Sequence, residues 1–457
     1  MAKRLFNEFD SVSSKQWKQK IQFDLKGAEY NDTLVWKTNE DILVKPFYHA
    51  DDLHELPKPS NTKATEWKIC QSIFVANTEK SNLKALNSIE KGADSIKFII
   101  PSETVSIEDL LKNIDLNITS IHFELHFLSL NFIKNISTIS AKAKIYYHTD
   151  IIGNLAKTGN WFNSIKDDFS QFESIVKQTK SFSINLSLYQ NAGATITQQL
   201  SYALAHANEY LNHIDTSLSN EEKEAIYINF NVSVGSNYFF EIAKLRALRL
   251  LWKTLASKYK INTNCHITVT PSIRNKTVYD YNTNMLRTTT ECMSAILGGA
   301  NTIYNLPYDA LFHKDNEFGE RIARNQLLVL KHESYFDKID NPTDGAYYIE
   351  SLTNQLAEKG LELFKDIEKN GGFLKQLKTG TIQRKIKESA AKEQHLFDAG
   401  ESILLGTNKH ANPNDKMKHE LEIYPFVKTN QRKTLIEPVI EKRLSETLEQ
   451  KRLKNEN

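Results

Sequence analysis

The sequence predicts an α/β protein built on a (β/α)8 TIM barrel, with an N-terminal extended arm and a helical C-terminal extension. Three observations support this architecture. Short apolar runs alternate with longer helical stretches between about residues 67 and 310, eight such runs can be counted, and each gap has room for a crossover helix. The pattern leaves an open doubly wound sheet as the alternative, because eight parallel strands can build either structure.

Eight candidate strands follow one another along the chain. They are WKICQSIFV (67–75), SIKFII (95–100), SIHFEL (120–125), KIYYHT (144–149), FSINLS (182–187), IYINFNVS (226–233), CHITVT (265–270) and NTIYNL (301–306). Between them, residues 196–212 and 237–258 show the clearest amphipathic helical periodicity. In the sixth run Asn229 and Asn231 alternate with apolar neighbours, which points polar groups either into the barrel near its rim or outward to the helices. The sequence does not decide between these orientations.

Residues 1–60 precede the first strand and are predicted to form an extended arm that makes subunit contacts. Its larger apolar side chains stand among charged ones; they are Phe6, Phe9, Trp17, Ile21 and Phe23. Such an arm either packs on its own domain or wraps a partner subunit, and the sequence leaves both open. Residues 61–410 are predicted to hold the barrel and its C-terminal helices. Residues 411–457 are predicted to be a helical tail whose charged end is a solvated surface helix.

The charge and cysteine content exclude several classes of function. The chain has 457 residues, with 58 Lys and Arg against 56 Asp and Glu, so its net charge of +2 is too balanced to indicate nucleic-acid binding. Cys70, Cys265 and Cys292 are far apart and lack zinc-ligand spacing, which predicts neither disulfides nor a structural metal site. No apolar run approaches the ~20 residues of a membrane span, and no signal peptide is recognisable. We expect a cytoplasmic protein that binds neither nucleic acid nor membrane.

The sequence contains none of the short catalytic signatures GxSxG, HExxH and GxGxxG, and no phosphate-binding loop. His148 lies near the end of the fourth candidate strand, beside Tyr147 and Asp150, where a barrel places its active site. It is either a functional residue or a hydrogen-bonded histidine at the rim. His122 and His266 begin their strands and are expected at the opposite face of the barrel, where residues serve stability.

Arg321 and Arg324 have the i, i+3 spacing of neighbours on a helix. The pair could clamp a carboxylate or a phosphate, and ion pairs on a helix face explain it equally well. Both interpretations stay open.

Several long segments closely resemble the methylmalonyl-CoA mutase family. They are EIAKLRALRLLW (241–252), LRTTTECMSAILGGANTIYN (286–305), RIARNQLLVLKHES (321–334), DGAYYIESLTNQLAEKG (344–360) and KESAAKEQHLFDAGESILLGTNKH (387–410), with DLKG (24–27) and LVWKTNEDILVKPFY (34–48) in the arm. The resemblance implies a barrel, in agreement with the strand count. In that family coenzyme A threads down the barrel centre, and a separate C-terminal flavodoxin-like domain brings adenosylcobalamin over the top.

The reacting positions of that family are replaced in this chain. Catalytic members carry WTIRQY at the first strand, with a tyrosine between substrate and cofactor and an arginine on coenzyme A; the aligned residues here are Ser72 and Cys70. At the fifth strand the family's GYHMQEAGA aligns with residues 186–194, which places Ser187 and Leu188 at its tyrosine and catalytic histidine. Leu188 cannot donate a hydrogen bond to a thioester oxygen.

Further substitutions affect positions that contact substrate and cofactor in the family. The arginine and serine of PRLSFF on the sixth strand align with Tyr227 and Asn229, so a cation that helps to hold the coenzyme A ester is lost. Two carboxylates that approach cobalamin align with Asn191 and Ala310. The resemblance therefore implies a barrel whose scaffold is kept and whose site is lost.

A cobalamin domain is not expected in this chain. The family's domain opens with DxHxxG, whose histidine ligates cobalt; here DxH occurs only at Asp52-Leu53-His54, and Pro57 stands where the glycine is required. The chain also ends at residue 457, too soon after the last matching segment for a domain of ~100 residues or more. We expect this chain alone to bind no cofactor, and adenosylcobalamin to be held by the large subunit of the holoenzyme.

This pattern resembles the family's small (beta) subunit, which pairs with a catalytic large (alpha) subunit in a heterodimer. The resemblance implies that the partner interconverts methylmalonyl-CoA and succinyl-CoA, in propionate metabolism, while the pocket positions Ser72, Ser187 and Leu188 are vestigial. Two alternatives stay open. One is an acyl-CoA mutase barrel that borrows a separately encoded cobalamin domain, and the other is a regulatory barrel that senses acyl-CoA.

Overall fold

The computed structural model describes residues 8–53, 59–60, 62–139, 143–428 and 432–456. Its main sheet has eight strands: β1 Lys68–Phe74, β2 Ser95–Ile100, β3 Ser120–Leu125, β4 Ile145–Tyr147, β5 Ser181–Asn185, β6 Tyr227–Val234, β7 Cys265–Pro271 and β8 Thr302–Ile303. The strands are parallel and lie in the order β4-β3-β2-β1-β8-β7-β6-β5. All eight predicted strands are confirmed.

The two edge strands, β4 and β5, come together and close the sheet. The backbone N–H of Ser183 on β5 donates to the carbonyl of Thr149, just after β4, at 3.2 Å. The backbone N–H of Asn185 donates to the carboxylate of Asp150 at 2.8 Å. Because β4 has only three residues, the side chain of Asp150 completes the contact that a longer strand would make with its backbone. The predicted (β/α)8 barrel is confirmed, and the open doubly wound sheet is not what forms.

Helices surround the barrel and extend beyond it. The α-helices are α1 Ser14–Asp24, α2 Tyr30–Leu34, α3 Thr78–Glu90, α4 Ile107–Leu111, α5 Leu130–Ile139, α6 Ile151–Thr158, α7 Ile165–Thr179, α8 Ser187–Asn191, α9 Ile196–Ile214, α10 Asn220–Glu224, α11 Tyr238–Tyr259, α12 Thr283–Leu297, α13 Glu317–Leu328, α14 Tyr347–Lys369, α15 Phe373–Lys378, α16 Thr381–Asp398 and α17 Glu446–Asn455. The helices predicted over 196–212 and 237–258 are confirmed as α9 and α11. Within the described ranges, no helix is long and apolar enough to cross a membrane.

Side chains along the strands alternate between two environments. On β3, Ile121 and Phe123 belong to the hydrophobic core beneath the helices, whereas the ring of His122 lies 5.8 Å from that of His266 on β7. Because β3 and β7 are not neighbours in the sheet, this contact crosses the barrel interior. The same alternation turns Asn229 inward, which answers the question that the sequence left open.

The arm packs on the barrel only in part. The ring of Trp36 lies 5.9 Å from that of Phe240 on α11, whereas α1 has no buried residue. Trp17 and Phe23 on α1 are 50% and 78% exposed. Phe6, which belongs to the same predicted apolar set, lies outside the described residues.

The end of the chain differs from the predicted solvated helix. Within the described part of residues 411–457, helix is confined to α17, and the carboxylate of Glu449 on that helix is fully buried. It lies 2.7 Å from the buried guanidinium of Arg443 and accepts the backbone N–H of Val278 at 2.9 Å. The interpretation as a solvated surface helix is wrong, because one face of α17 carries half of a buried ion pair.

Residues 432–445, here called the C-terminal strap, cross the carboxyl-terminal face of the barrel. Three backbone N–H groups of the strap donate to carbonyls of that face: Val439 to Ala156 (2.8 Å), Lys442 to Asn191 (3.0 Å) and Leu444 to Arg274 (3.0 Å). These acceptors follow β4, β5 and β7 in the chain. The strap therefore spans the segments that follow three strands, at the end of the barrel where (β/α)8 enzymes carry their sites.

We predict that Glu449→Gln destabilises the protein by about 3–5 kcal/mol, because it leaves the guanidinium of Arg443 buried without a counter-charge. Urea unfolding at neutral pH measures this free energy. The matched control is Glu388→Gln on α16, which removes an exposed partner of Arg384 and is expected to cost less than about 1 kcal/mol. Equal losses in the two variants would contradict the assignment.

Candidate functional site

His148 lies inside the barrel and links two strands. Its Nε2 is 3.1 Å from Nδ1 of His122, and its Nδ1 is 3.2 Å from Nδ2 of Asn229. The carboxamide oxygen of Asn229 accepts the hydroxyl of Thr268 at 2.9 Å. The candidate histidine is therefore part of a buried hydrogen-bond chain that runs from β7 through β6 to β3.

These contacts determine where the hydrogens lie. Since the oxygen of Asn229 accepts from Thr268, its Nδ2–H group donates to Nδ1 of His148. Nε2 of His148 then carries a hydrogen and donates to Nδ1 of His122. Nε2 of His122 is left as a buried donor without a hydrogen-bond partner among the described residues. This order of donors and acceptors is possible only if the imidazoles of His148 and His122 are both neutral.

The pKa shifts agree with neutral imidazoles. Burial, with a smaller contribution from the positive charge of Lys97, lowers the pKa of His148 to about 3. Burial also places the pKa values of His122 and His266 well below their ordinary value, with smaller contributions from neighbouring cations. The interior thus holds three histidines that carry no charge at neutral pH.

Aromatic rings fill the interior beside His148. The ring of Tyr146 lies 4.5 Å from that of His122 and 4.1 Å from that of His266, and the ring of Tyr227 lies 6.3 Å from Tyr146. Nε2 of His266 is 2.9 Å from the hydroxyl of Thr302. These four rings come from β3, β4, β6 and β7, so together they reach across the barrel.

The prediction that His122 and His266 lie at the face of the barrel opposite to His148, away from it, is wrong. Both residues do lie near the starts of their strands, but their side chains point into the barrel. The signal that could have found them is the strict alternation in SIHFEL and CHITVT, where an inward imidazole stands between outward apolar residues.

An ion pair between a buried lysine and a partly exposed glutamate lies in the same interior. Nζ of Lys97 is 2.6 Å from the carboxylate of Glu124 and 4.8 Å from the centre of the Tyr304 ring. Although burial opposes ionisation, the charge and hydrogen bond of Lys97 lower the pKa of Glu124 to about 2. Ser72 is paired with Lys97 in the register of β1 and β2. Sequence reasoning missed this pair, which occupies inward positions of two adjacent strands.

Cys70 lies two residues before Ser72 on β1 and is buried. Burial raises the pKa of its thiol to about 11. The thiol is therefore protonated at neutral pH, and a thiol in that state is a poor nucleophile and a poor metal ligand.

Ser187 and Leu188 begin the short helix α8, directly after β5. Leu188 is buried in the hydrophobic core and offers no polar atom to the mouth of the barrel. The backbone N–H of Ser187 donates to the side-chain oxygen of Asn185 at 3.1 Å. The helix start is thus held by local packing and hydrogen bonding.

Both the oxygen and the nitrogen of the Asn191 carboxamide form hydrogen bonds within the protein. Its oxygen accepts the hydroxyl of Ser272 at 2.8 Å and the backbone N–H of Ile273 at 3.2 Å. Its Nδ2 donates to the carboxylate of Glu441 in the C-terminal strap at 2.9 Å. Ala310 lies half-buried in the loop after β8 and presents only a methyl group.

Arg321 and Arg324 do not form a joint clamp. Arg324 is buried and donates from Nη1 to the side-chain oxygen of Gln71 at 3.0 Å, whereas the guanidinium of Arg321 lies 5.6 Å from the centre of the Phe318 ring. Within the described ranges, no group of three or more His, Cys, Asp or Glu side chains could hold a metal ion.

These features define a parallel (β/α)8 barrel protein with a polar, ring-filled interior and a strap across its carboxyl-terminal face. The family model of methylmalonyl-CoA mutase matches residues 103–455. The methylmalonyl-CoA mutase small subunit of Porphyromonas gingivalis is 35% identical over 444 residues, which cover 90% of this chain and 71% of that protein. The chain therefore belongs to the methylmalonyl-CoA mutase family.

Two further relatives show how much of the family architecture this chain spans. The methylmalonyl-CoA mutase of Rhizobium meliloti is 28% identical over 473 residues, and the match covers 90% of this chain but 65% of that protein. The methylmalonyl-CoA mutase large subunit of Porphyromonas gingivalis is 31% identical over 264 residues, which cover 57% of this chain and 37% of that subunit. The chain thus spans about two thirds of the length of a single-chain relative.

We predict that the free energy of unfolding falls as the pH falls below about 6.5, the ordinary histidine pKa, and continues to fall toward the folded pKa of His148 at about 3. The sign follows because the folded imidazole stays neutral while the unfolded one binds a proton. Between about pH 5.5 and 6.5, where ordinary carboxyl groups stay ionised, His148→Gln should make this dependence shallower, and the buried His122 and His266 account for the slope that remains.

Urea unfolding across that pH interval measures the slope. His419→Gln is the matched control, because His419 is exposed and should leave the slope unchanged. A slope that is the same in the wild type and in His148→Gln would show that the imidazole of His148 is not held neutral.

Proposed function

We propose that this chain is the small (beta) subunit of an adenosylcobalamin-dependent methylmalonyl-CoA mutase, that it is itself non-catalytic, and that it stabilises the catalytic large subunit. The holoenzyme would interconvert methylmalonyl-CoA and succinyl-CoA on the large subunit, in the cytoplasm. Residues 1–60 would make the subunit contact, residues 61–410 the barrel, and residues 411–457 the tail that packs on the barrel.

The filled interior is the observation that carries this proposal. The resemblance implies that a catalytic barrel leaves its centre open to coenzyme A. Here the ring of Tyr146 packs on both His122 and His266, at 4.5 Å and 4.1 Å. Rings at these separations are in van der Waals contact, so a pantetheine chain cannot pass between them without displacing them. This packing also argues against a barrel that senses acyl-CoA at its centre.

The mouth of the barrel does not fit adenosylcobalamin. The carboxamide of Asn191 is occupied by Ser272, Ile273 and Glu441, and the strap crosses the surface over which the cofactor domain lies in catalytic members. Leu188 offers no proton donor to a substrate. These residues support assignment of the cofactor to the large subunit, and they disfavour a catalytic barrel that borrows a separate cobalamin domain.

The arm supports the choice of partner. Its helix α1 has no buried residue, and its aromatic side chains at Trp17 and Phe23 are exposed beside lysines. Porphyromonas gingivalis carries methylmalonyl-CoA mutase subunits named small and large, and this chain is similar to both. We therefore propose a heterodimer in which the arm wraps the large subunit.

Purified alone and supplied with adenosylcobalamin, the chain is expected to show no turnover of methylmalonyl-CoA above background. Co-expression with the large subunit from the same genome should give a complex that turns over and survives heating longer than the large subunit alone. Turnover by the lone chain at a rate comparable to the complex would refute the non-catalytic role. Full activity and equal stability of the large subunit alone would refute the stabilising role.

We predict that Phe23→Ala weakens association with the large subunit at least tenfold while leaving the melting temperature of the isolated chain unchanged. The reason is that Phe23 is 78% exposed in the isolated chain and would be buried only by a partner. Leu83→Ala on α3 is the control, because Leu83 is 59% exposed on the barrel surface outside the arm. Association measured by calorimetry should distinguish the two, and equal affinities would place the interface elsewhere.

A further inference from the structure

The junction between α14 and α15 contains the only Asn-Gly dipeptide of the sequence, Asn370-Gly371, and Gly372 follows it. Asn370 is exposed and ends α14, and both glycines have positive φ angles, +102° and +85°. A Cβ on Gly371 would lie 2.5 Å from Cδ and 2.9 Å from Nζ of Lys375. Position 371 therefore requires glycine, because of its backbone conformation and because of the lysine side chain beside it.

An asparagine followed by glycine can react with its own backbone, because glycine has no side chain to hinder its amide nitrogen. The nitrogen of Gly371 loses its proton to solvent and forms a bond to Cγ of Asn370. The carbon–nitrogen bond of the carboxamide breaks, and the leaving nitrogen takes up a proton and departs as ammonia. Water then opens the resulting succinimide ring at either carbonyl, which gives aspartate or isoaspartate. The reaction consumes one water and needs no cofactor.

Lys375 favours the first step of this reaction. Its ammonium group lies beside Gly371 and is paired with no carboxylate in the described ranges. Negative charge develops on the nitrogen of Gly371 and on the carboxamide oxygen of Asn370 during the attack, and a neighbouring positive charge stabilises it. Because Lys375 is exposed, this effect is moderate and is screened by salt.

Two groups of hydrogen bonds oppose the attack. The backbone N–H of Gly371 donates to the carbonyl of Glu368 at 3.0 Å. Nδ2 of Asn370 donates to the carbonyl of Asp366 at 2.8 Å and to the carboxylate of the same residue at 3.1 Å. These bonds must open before the nitrogen can reach Cγ. The end of a helix opens more easily than its centre, so the reaction proceeds while the last turn of α14 is open.

We propose that Asn370 is a site of spontaneous deamidation whose rate is controlled by the fold. The nitrogen of Gly371 is the nucleophile, Lys375 promotes its attack, and the carboxylate of Asp366 restrains it by holding the carboxamide. This site lies outside the barrel interior and does not depend on the proposed subunit role.

The modification would loosen the end of α14. A carboxylate at position 370 cannot donate to the carbonyl of Asp366, and it adds negative charge at the C-terminal end of a helix, where the helix dipole disfavours it. Isoaspartate also lengthens the backbone by one carbon, which disturbs the hydrogen bond from the N–H of Gly372 to the carbonyl of Ile367. Amide hydrogen exchange in the last turn of α14 is therefore expected to be faster in the modified chain.

Incubation of the full chain in ¹⁸O-labelled water at mildly alkaline pH, followed by peptide mass spectrometry, tests the proposal. Position 370 is expected to become a mixture of isoaspartate and aspartate that carries one ¹⁸O atom. Lys375→Gln should slow the reaction about threefold, the size expected for one exposed charge. Asp366→Ala should speed it about threefold, since one hydrogen bond to the carboxamide is removed. High salt should reduce the difference between the wild type and Lys375→Gln.

Lys378→Gln is the matched control, because Lys378 is exposed on the same short helix, and it should react as the wild type does. Asn412 is exposed and precedes Pro413, which has no N–H group, so it should stay unmodified in the same sample. The chain unfolded in guanidinium chloride gives the rate without the fold. Three results would each overturn the proposal: modification at Asn370 no greater than at Asn412 while the unfolded chain reacts, aspartate without isoaspartate, or a rate unchanged by both Lys375→Gln and Asp366→Ala.

Discussion

The interior of this barrel depends on keeping its histidines neutral. A (β/α)8 barrel is usually filled by branched apolar side chains, and polar residues in that place cost free energy unless each one is hydrogen-bonded. Here Asn229 donates to His148, and His148 donates to His122, at 3.2 Å and 3.1 Å. A proton added to either imidazole would turn an acceptor into a donor and set two donors against each other.

Two residues that the resemblance aligns with the family's substrate-binding groups take part in this packing. Tyr227 stands where the resemblance places a substrate-binding arginine, and its ring joins the group formed by Tyr146 and His266. Asn229 stands where the resemblance places a serine, and it sets the orientation of His148. The positions at which the resemblance implies a lost cation and a lost serine are therefore positions that contribute to the internal network. An arginine at position 227 would bring a positive charge close to the interior imidazoles, whose pKa values burial already lowers.

Much of the fold could be predicted from the sequence, because it rests on local patterns. All eight strand runs and the helices α9 and α11 follow from periodicity and length. The content of the interior could not be predicted in the same way. Residues such as His122 and His266 are far apart in the chain, and only closure of the barrel brings their rings to 5.8 Å. Burial of Glu449 could not be predicted for the same reason, since its partners Arg443 and Val278 belong to the C-terminal strap and to the loop after β7.

The strap and the substitution at position 191 are physically coupled. An asparagine can accept from Ser272 and Ile273 with its oxygen while its nitrogen donates to Glu441. The carboxylate that the resemblance places at this position has no hydrogen to donate, and it would place a second negative oxygen about 2.9 Å from that of Glu441. Like charges at that distance repel strongly where water is excluded. If the alignment that the resemblance implies is right, the change from carboxylate to carboxamide removes a group that approaches cobalamin in catalytic members. The same change supplies one of the donors that hold the strap over the mouth of the barrel.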